Sequence, residues 1–468
     1  MSHGKILRAF WAVFLLSVAI PAIGANNPSL VIPPSGVIGV KGRMLSPGFW
    51  IARTANANKI LMTRAQIKAR NEQTLAEDHN VVDLSEFGPT VQRAKVLQLV
   101  KELVSPFGGH PVDARGVPLS AAALARMKAN RNLGAIPAVQ KAEYGMAVRR
   151  TLLRLYPTSL KAFPSSDSTD FDSFAAGVLF PGNAVVILNR SKDNKWLLVQ
   201  TWQGPGWAPS QDIAAGSRQA VLSYSGQKPF RVITGGQVRT VYTPEAPDVS
   251  QLELDMGVRV PLMGLPPDQP VNGAGPYEAW TIELPTRRLD GSLRFQPALL
   301  QKIRDSASGY LPLTRANIIR QAFKFLGERY GWGHTFNARD CSGFTSDVYR
   351  SFGLMVPPNS GAQGASPAFH HQLFTAKSSH AARLKAVMAA QVGDLLVVPG
   401  HVMMILGKID GQPYVIQDVP YVIYRDPTGL LHKVKVNEVS VTPLLPLLYS
   451  NTETYVDAMT SLVHVTVP

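Results

Sequence analysis

Apolar positions along this chain fall into three textures, each predicting a different architecture. From Asn26 to about Arg150 they gather on helical faces set among irregular stretches. Thr63-Arg64-Ala65-Gln66 has the spacing of a capping box, in which threonine and glutamine side chains reciprocally satisfy free amides at a helix start; the helix it opens runs toward Glu72. A second helix begins at Pro89-Thr90 and presents Val91, Ala94, Val96, Leu97, Val100 and Val104 as a broad apolar face. The Ala-rich stretch from Ser120 to Met127 predicts a third. No recognisable chemistry sits in this region, so it reads as packing or positioning structure.

From about Tyr156 to Pro297 the texture changes to short β-branched and aromatic runs separated by Gly, Pro, Asp and Asn. Val185-Val186-Ile187-Leu188 leads through the turn-like Lys192-Asp193-Asn194-Lys195 to Trp196-Leu197-Leu198-Val199 and then Gly206-Trp207, the pattern of a small antiparallel barrel. A second set follows in Phe230 to Ile233, Val238 to Tyr242 and Trp280 to Ile282, with Asp290-Gly291 as a further hairpin turn. Two consecutive small barrels fit this better than one large sheet, with their tryptophans mostly in the barrel cores.

The third texture mixes helices and strands. Thr314 can cap a helix whose buried face is Ile318, Ile319, Ala322, Phe323, Phe325 and Leu326, ended by Gly327. Phe344, Val348, Tyr349 and Phe352 recur at helical spacing up to Gly353, a C-terminal cap. Leu395 to Val398 and Val402 to Leu406 are apolar strand-like runs broken by Pro399-Gly400, and Tyr414 to Asp418 forms the next strand beyond the turn at Asp410-Gly411.

Composition adds compartment and charge. Lys5 and Arg8 precede an apolar run from Ala9 to Ile20 and then Pro21-Ala22-Ile23-Gly24-Ala25, the layout of a cleaved export signal ending near Ala25. The run is short for a membrane-spanning helix, which needs about 20 apolar residues, and no span is predicted in the mature chain. The formal net charge of +15 favours anionic surroundings. Without a dense Lys/Arg stripe interleaved with aromatics, the charge points to an anionic envelope rather than nucleic acid.

Export sharpens the meaning of Cys341, the one cysteine in 468 residues. It has no partner in its own chain for a structural disulfide, which leaves a reactive thiol or a buried cysteine acting as a small apolar residue. The context Arg339-Asp340-Cys341-Ser342-Gly343-Phe344 follows the loop Tyr330-Gly331-Trp332-Gly333 and places Cys341 at a helix N-terminus. There the free amides and the helix dipole favour a thiolate and can hold a developing oxyanion. Such a nucleophile needs an imidazole, and His401, beside the Pro-Gly break, is the best candidate among ten histidines. His334 reads as a wall of the cleft, and His370, His371 and His380 as surface residues of an insertion.

The group that orients the imidazole should come from the Tyr414 to Asp418 strand. A simple two-residue hairpin places Asp418 on the face of His401; one additional loop residue brings Gln417 there instead. Spacing alone leaves both open.

These residues resemble the NlpC-type cell-wall peptidases, papain-like cysteine enzymes that share Tyr330-Gly331-Trp332-Gly333, Asp340 to Phe344, Gly393-Asp394-Leu395 and Gly400-His401-Val402 in this order. Ser191-Lys192-Asp193, Trp196, Gly206-Trp207 and Leu254-Asp255-Met256-Gly257 resemble the paired bacterial SH3 modules of multidomain members. Phe49-Trp50-Ile51 and Leu61 to Asn71 are similar to their helical stabilising region. The resemblance implies an α+β chain: signal peptide 1–25, helical region 26–155, SH3-like barrels 156–228 and 229–300, and a papain-like peptidase domain 310–468. It further implies hydrolysis of the D-glutamyl-diamino acid amide of peptidoglycan stem peptides, with Cys341 as nucleophile, His401 as base and then acid, and Gln417 in the third position in preference to Asp418. Tyr330 would lie beside the oxyanion, Asp340 would hold a substrate amine, and Ser342 would line the same cleft.

Where members selective for a free N-terminal L-alanine often have Pro-Arg-Asp-Ser, this chain reads Pro357-Pro358-Asn359-Ser360, which offers the amine a hydrogen bond without an opposite charge. Amine recognition is therefore expected to be weaker, or to rest on Asp340 and an acidic residue of the first barrel. The expected partners are peptidoglycan peptides or muropeptides, without nucleic acid, metal or other cofactor, met by a monomer in the periplasm or cell envelope. Two alternatives stand beside this reading: a wall amidase or acyltransferase using the same Cys/His pair, and an inactive wall-binding scaffold.

Overall fold

The capping box predicted at Thr63 is formed. In the computed structural model, which describes residues 38–466 apart from 109 and 267, Gln66 N donates to Thr63 Oγ1 at 3.3 Å and Thr63 N donates to Gln66 Oε1 at 2.8 Å. The predicted signal segment 1–25 lies outside the described residues. Helix α1 (Arg64–Glu77) continues past Glu72 and buries Ile67, Arg70 and Thr74. Helix α2 (Arg93–Glu102) starts later than Pro89-Thr90, because Thr90–Gln92 is extended and pairs with Val139–Lys141. Ser120 caps α3 (Ala121–Asn130), its hydroxyl accepting from Ala123 N at 3.2 Å. Among the described residues no helix is long and apolar enough to cross a membrane.

The first barrel is a seven-stranded antiparallel sheet in the order Ile213–Gly216, Glu143–Ala147, Ala184–Arg190, Trp196–Thr201, Gly204–Pro209, Thr151–Arg154, Ala175–Leu179. Two of its strands therefore come from upstream of Tyr156. Trp207 is wholly buried in its core with Met146, Val186, Leu188 and Leu198, as alternation of inward and outward residues requires. The next β module packs small ladders around Ile233, Leu254, Val260, Ile282, Leu284 and Leu300. Its longest hairpin pairs Ala279–Arg287 with Leu293–Gln301 across the Asp290-Gly291 turn.

In the C-terminal domain Thr314 caps α4 (Arg315–Phe323) as predicted, accepting from Asn317 N at 3.1 Å. Helices α5 (Cys341–Arg350), α6 (Ser360–Ala365) and α7 (His380–Ala389) flank a sheet built from β1 (His370–Leu373), β2 (Leu395–Val398), β3 (His401–Ile409), β4 (Gln412–Arg425), β5 (Leu431–Pro443) and β6 (Ser461–His464). The strand order is β1-β6-β2-β3-β4-β5. Phe344, Val348 and Tyr349 of α5, with Phe352 just beyond it, share a core with Val402, Met404, Leu406 and Ile416, while Met403, Ile405 and Val415 pack on the other face with Ala386 and Val387 of α7. Burial on both faces explains why these strands read as continuous apolar runs. His370 and His380 are exposed, but the stretch that reads as an insertion supplies an edge strand and a covering helix.

The chain's first described residues return to this domain. Trp50, 1% exposed, lies in its core with Val40, Met44 and Ile67, and its indole N–H donates to Met44 O at 2.7 Å. Ile60–Met62 pairs with Leu313–Thr314.

Candidate active site

Cys341 is the first residue of α5, and its preceding residue caps the helix. Asp340 Oδ1 accepts from Gly343 N at 2.8 Å and from the Ser342 hydroxyl at 2.9 Å, and Oδ2 accepts from Gly333 N at 3.0 Å. One carboxylate thus joins the aromatic loop to the first turn of the helix. The thiol is 4% exposed. A helix start was expected to favour the thiolate; instead burial, joined by the charge of Asp340, pushes the thiol well above its ordinary value, against hydrogen bonds from the Val402 and Ser342 amides. The magnitudes explain this, since a helix terminus contributes about 0.3–1 kcal/mol whereas full burial shifts a pKa by up to about 3–5 units.

The Val402 amide that reaches this sulfur immediately follows His401, which opens β3. The imidazole is 7% exposed, and burial depresses its pKa to about 4, with the Gln417 hydrogen bond and Asp340 opposing the shift. Its Nε2 lies 2.7 Å from Gln417 Oε1, while Gln417 Nε2 donates to Thr442 Oγ1 at 2.8 Å. Gln417 turns its oxygen toward the ring, so His401 carries its proton on Nε2 and keeps the Nδ1 lone pair free.

Strand register explains why Gln417 rather than Asp418 meets the imidazole. The turn at Asp410-Gly411 is a two-residue hairpin, and Ile409, Lys408 and Gly407 pair with Gln412, Pro413 and Tyr414. A bulge at Leu406 then moves the pairing by one, so that Ile405 faces Val415 and Met404 faces Ile416. The additional residue sits in the strand rather than in the loop. Asp418 consequently turns away from His401; it is fully buried, neither carboxyl oxygen has a hydrogen-bond partner among the described residues, and burial together with Asp340 and Glu328 holds its pKa far above the usual carboxylate range.

Tyr330 is 3% exposed, its phenol raised by burial and by the neighbouring Cys341 and Asp340. Its ring centroid lies 5.8 Å from that of Phe171, in the first barrel's loop before Ala175–Leu179, and Phe171 and Phe107 both pack on Trp332. His334, read from the sequence as part of a cleft wall, lies over the first turn of α5. Its ring fills the space over Gly343 and meets Phe180 of the first barrel edge-on at 6.2 Å. Asn359 caps α6 through Ala362 N at 2.9 Å and Ser360 begins that helix. Gln363 ties α6 to the first turn of α5 by donating to Ser342 O at 3.1 Å.

Two residues at the site escaped sequence reading. Thr442 comes from β5 and carries no local signal. Arg339, quoted only as a neighbour of the cysteine, is fully buried among the carboxylates of Asp255, Glu328 and Asp347.

Comparison with known proteins assigns both ends of this arrangement. Residues 160–209 match the SH3 domain family of SH3b1 type, and residues 327–444 match the NlpC/P60 family. A probable endopeptidase p60 of Listeria seeligeri is 51% identical over 53 residues, a match that spans 10% of this chain and only 10% of that protein. An NlpC/P60 endopeptidase from Photobacterium damselae subsp. piscicida has the same fold, with a TM-score of 0.69 over 88% of this chain and 95% of that one at 15% identity. An NlpC/P60 family protein from Bacillus cereus aligns with a TM-score of 0.46 and 18% identity over 69% of this chain and 99% of that one. The chain therefore carries an NlpC/P60 family domain in its C-terminal part, preceded by an SH3 domain of the SH3b1 type.

Proposed function

We propose that this protein is an exported cysteine endopeptidase that hydrolyses the amide between D-glutamate and the diamino acid of peptidoglycan stem peptides. The observation that carries the reading is the chain Thr442–Gln417–His401, whose next residue, Val402, turns its amide to the buried thiol at a helix start. As Cys341 Sγ attacks the carbonyl carbon, its proton passes to His401 Nδ1, so that a neutral pair becomes thiolate and imidazolium only in the presence of substrate. Gln417 Oε1, already accepting from Nε2–H, stabilises the cationic ring. The amides at the start of α5 are the donors nearest the developing oxyanion. His401 then protonates the departing amine as the C–N bond breaks, leaving a thioester. Water, deprotonated by the same imidazole, releases the acid and restores the thiol.

The NlpC/P60 match of the C-terminal domain and the endopeptidases it is similar to support a peptide as substrate, and the motifs that resemble cell-wall peptidases point to one from the wall. For amine recognition, Asn359 uses its side-chain oxygen as a helix cap, Asp340 accepts three hydrogen bonds, and Asp170 of the first barrel pairs with Arg329 and Lys435. One charge-assisted hydrogen bond is worth about 1.5–3 kcal/mol, so without a free carboxylate the discrimination should stay below about tenfold.

The test is mass spectrometry of L-Ala-D-Glu-diamino acid peptides incubated with the protein, with the alanine amine free or acetylated. Cleavage between D-Glu and the diamino acid, lost in Cys341→Ala and with the two forms within about tenfold in kcat/KM, is the expected result. Cleavage at another bond, or undiminished cleavage by Cys341→Ala, would overturn the assignment.

A further inference from the structure

Immediately before the thiol lies a buried charge cluster to which three parts of the chain contribute. Arg339 places Nη2 at 2.8 Å from Asp255, Nη1 at 2.5 Å from Glu328 and Nε at 2.6 Å from Asp347. Asp255 belongs to the second β module, Glu328 to the segment before Tyr330, and Asp347 to α5. Arg150 of the first barrel approaches Asp255 at 3.4 Å and donates to Ala338 O at 2.7 Å and His334 O at 3.3 Å. Arg350 pairs with Asp347 at 2.8 Å and donates to Met256 O. Three guanidinium groups thus face three carboxylates, with Arg339, Asp255 and Asp347 fully buried at the centre and Glu328 and Arg350 partly exposed at the edge, an arrangement in which loss of a central member leaves a buried charge uncompensated.

The backbone shows what the cluster holds. Arg339 O accepts from Gly331 N at 2.6 Å, and Arg339 bridges Tyr330 as a short parallel pair, so the same residue sets the loop on one side and the helix cap Asp340 on the other. The second module comes close enough to grip it: Gly257 has φ +80°, and a Cβ there would fall 2.6 Å from Arg350. Met256 lies in the same core as Cys341 and Phe344.

We propose that Asp255 is a positioning residue for the nucleophile, and that the second β module acts on Cys341 through the Asp255–Arg339 ion pair. This rests on the reading of Cys341 as the reactive thiol. Without the Asp255 carboxylate, Arg339 swings from its seat, the Arg339-Asp340-Cys341 segment moves with it, and the sulfur leaves the Ser342 and Val402 amides that favour its anion.

The test is the rate of Cys341 alkylation by iodoacetamide in the full chain from pH 6 to 10, which needs no substrate. Asp255→Asn is expected to react at least fivefold more slowly at pH 7, and, if stem peptides are cleaved, to lose about tenfold in kcat with KM within twofold. Simple removal of a negative charge predicts the opposite sign, because an unpaired Arg339 cation would favour the thiolate. Alkylation unchanged or faster in Asp255→Asn would therefore overturn the proposal. Asp305→Asn, which removes an exposed ion pair between the same module and Lys324, is expected to match wild type, and an equal slowing there would reduce the effect to general loosening and also overturn it. If circular dichroism shows Asp255→Asn unfolded, Asp255→Glu decides: a slowed profile supports positioning and a wild-type profile refutes it. Slowed alkylation without cleavage of any peptide would sink the proposed reaction and leave the clamp standing.

Discussion

Thr442 makes one hydrogen bond to Gln417, accepting from its Nε2 while Gln417 Oε1 faces His401 Nε2. In Thr442→Val, Gln417 is free to turn its NH₂ toward the ring, so kcat should fall about tenfold while KM stays unchanged, an effect of the size seen when a group orienting a histidine is lost. Steady-state kinetics on a cleaved stem peptide check this. Burial holds His401 at about 4, so the imidazole stays a competent base well below the usual histidine range, and the acidic limb of kcat/KM should fall near pH 4 rather than near 6.5. Stability follows the same sign. His334 is likewise depressed to about 4 by burial, so between about pH 6.5 and 4 the unfolded chain binds protons that the folded chain does not, and stability is lost as pH falls through that window. The melting temperature should drop across it, and His334→Gln should flatten part of the drop; a profile unchanged by the substitution would contradict the assignment. The places of Cys341 at a helix start and His401 at a strand start were legible in the sequence because their signals are local: a lone thiol before a helical pattern and a histidine at a Pro-Gly break. Thr442 lies 25 residues beyond Gln417 and meets it only through strand pairing, which is why no local pattern marked it.

Among the elements, β3 shows where sequence reasoning runs out. Periodicity located both strands and the Asp410-Gly411 turn, but the choice between Gln417 and Asp418 depended on one residue of register, and the additional residue sits in a bulge at Leu406 that no turn signal announces. Gly407 follows the bulge with φ +142°, a region side chains rarely adopt. Gly407→Ala should therefore cost about 1–3 kcal/mol in backbone strain, read by urea denaturation, and should lower kcat as well by disturbing the Gln417 register. The start of α2 failed for a related reason: Thr90–Gln92 look like a helical first turn until their pairing with Val139–Lys141 is known.

At the scale of the whole molecule, the three textures of the chain became the helical region, the β modules and the C-terminal domain, because hydrophobic rhythm reports local burial. What it could not report is which module shares a core with which. Trp50, some 290 residues before the cysteine, is buried against Tyr414 with ring centroids 5.4 Å apart, and Gly39 O accepts from the Tyr414 hydroxyl at 2.9 Å. Trp50→Ala should destabilise the C-terminal domain by about 3–5 kcal/mol, measured by urea unfolding followed at that domain's remaining tryptophan, Trp332. The return of residues 38–51 to the last domain also closes the chain into a ring, with both β modules strung between two anchored ends. Tethered at each side, they lack the swing of beads on a flexible string. Their contacts with the segments around Cys341, through Phe171 and Phe180 of the first and Asp255 of the second, are accordingly properties of the closed chain, adjustable by repacking its joints but not by lengthening any single linker.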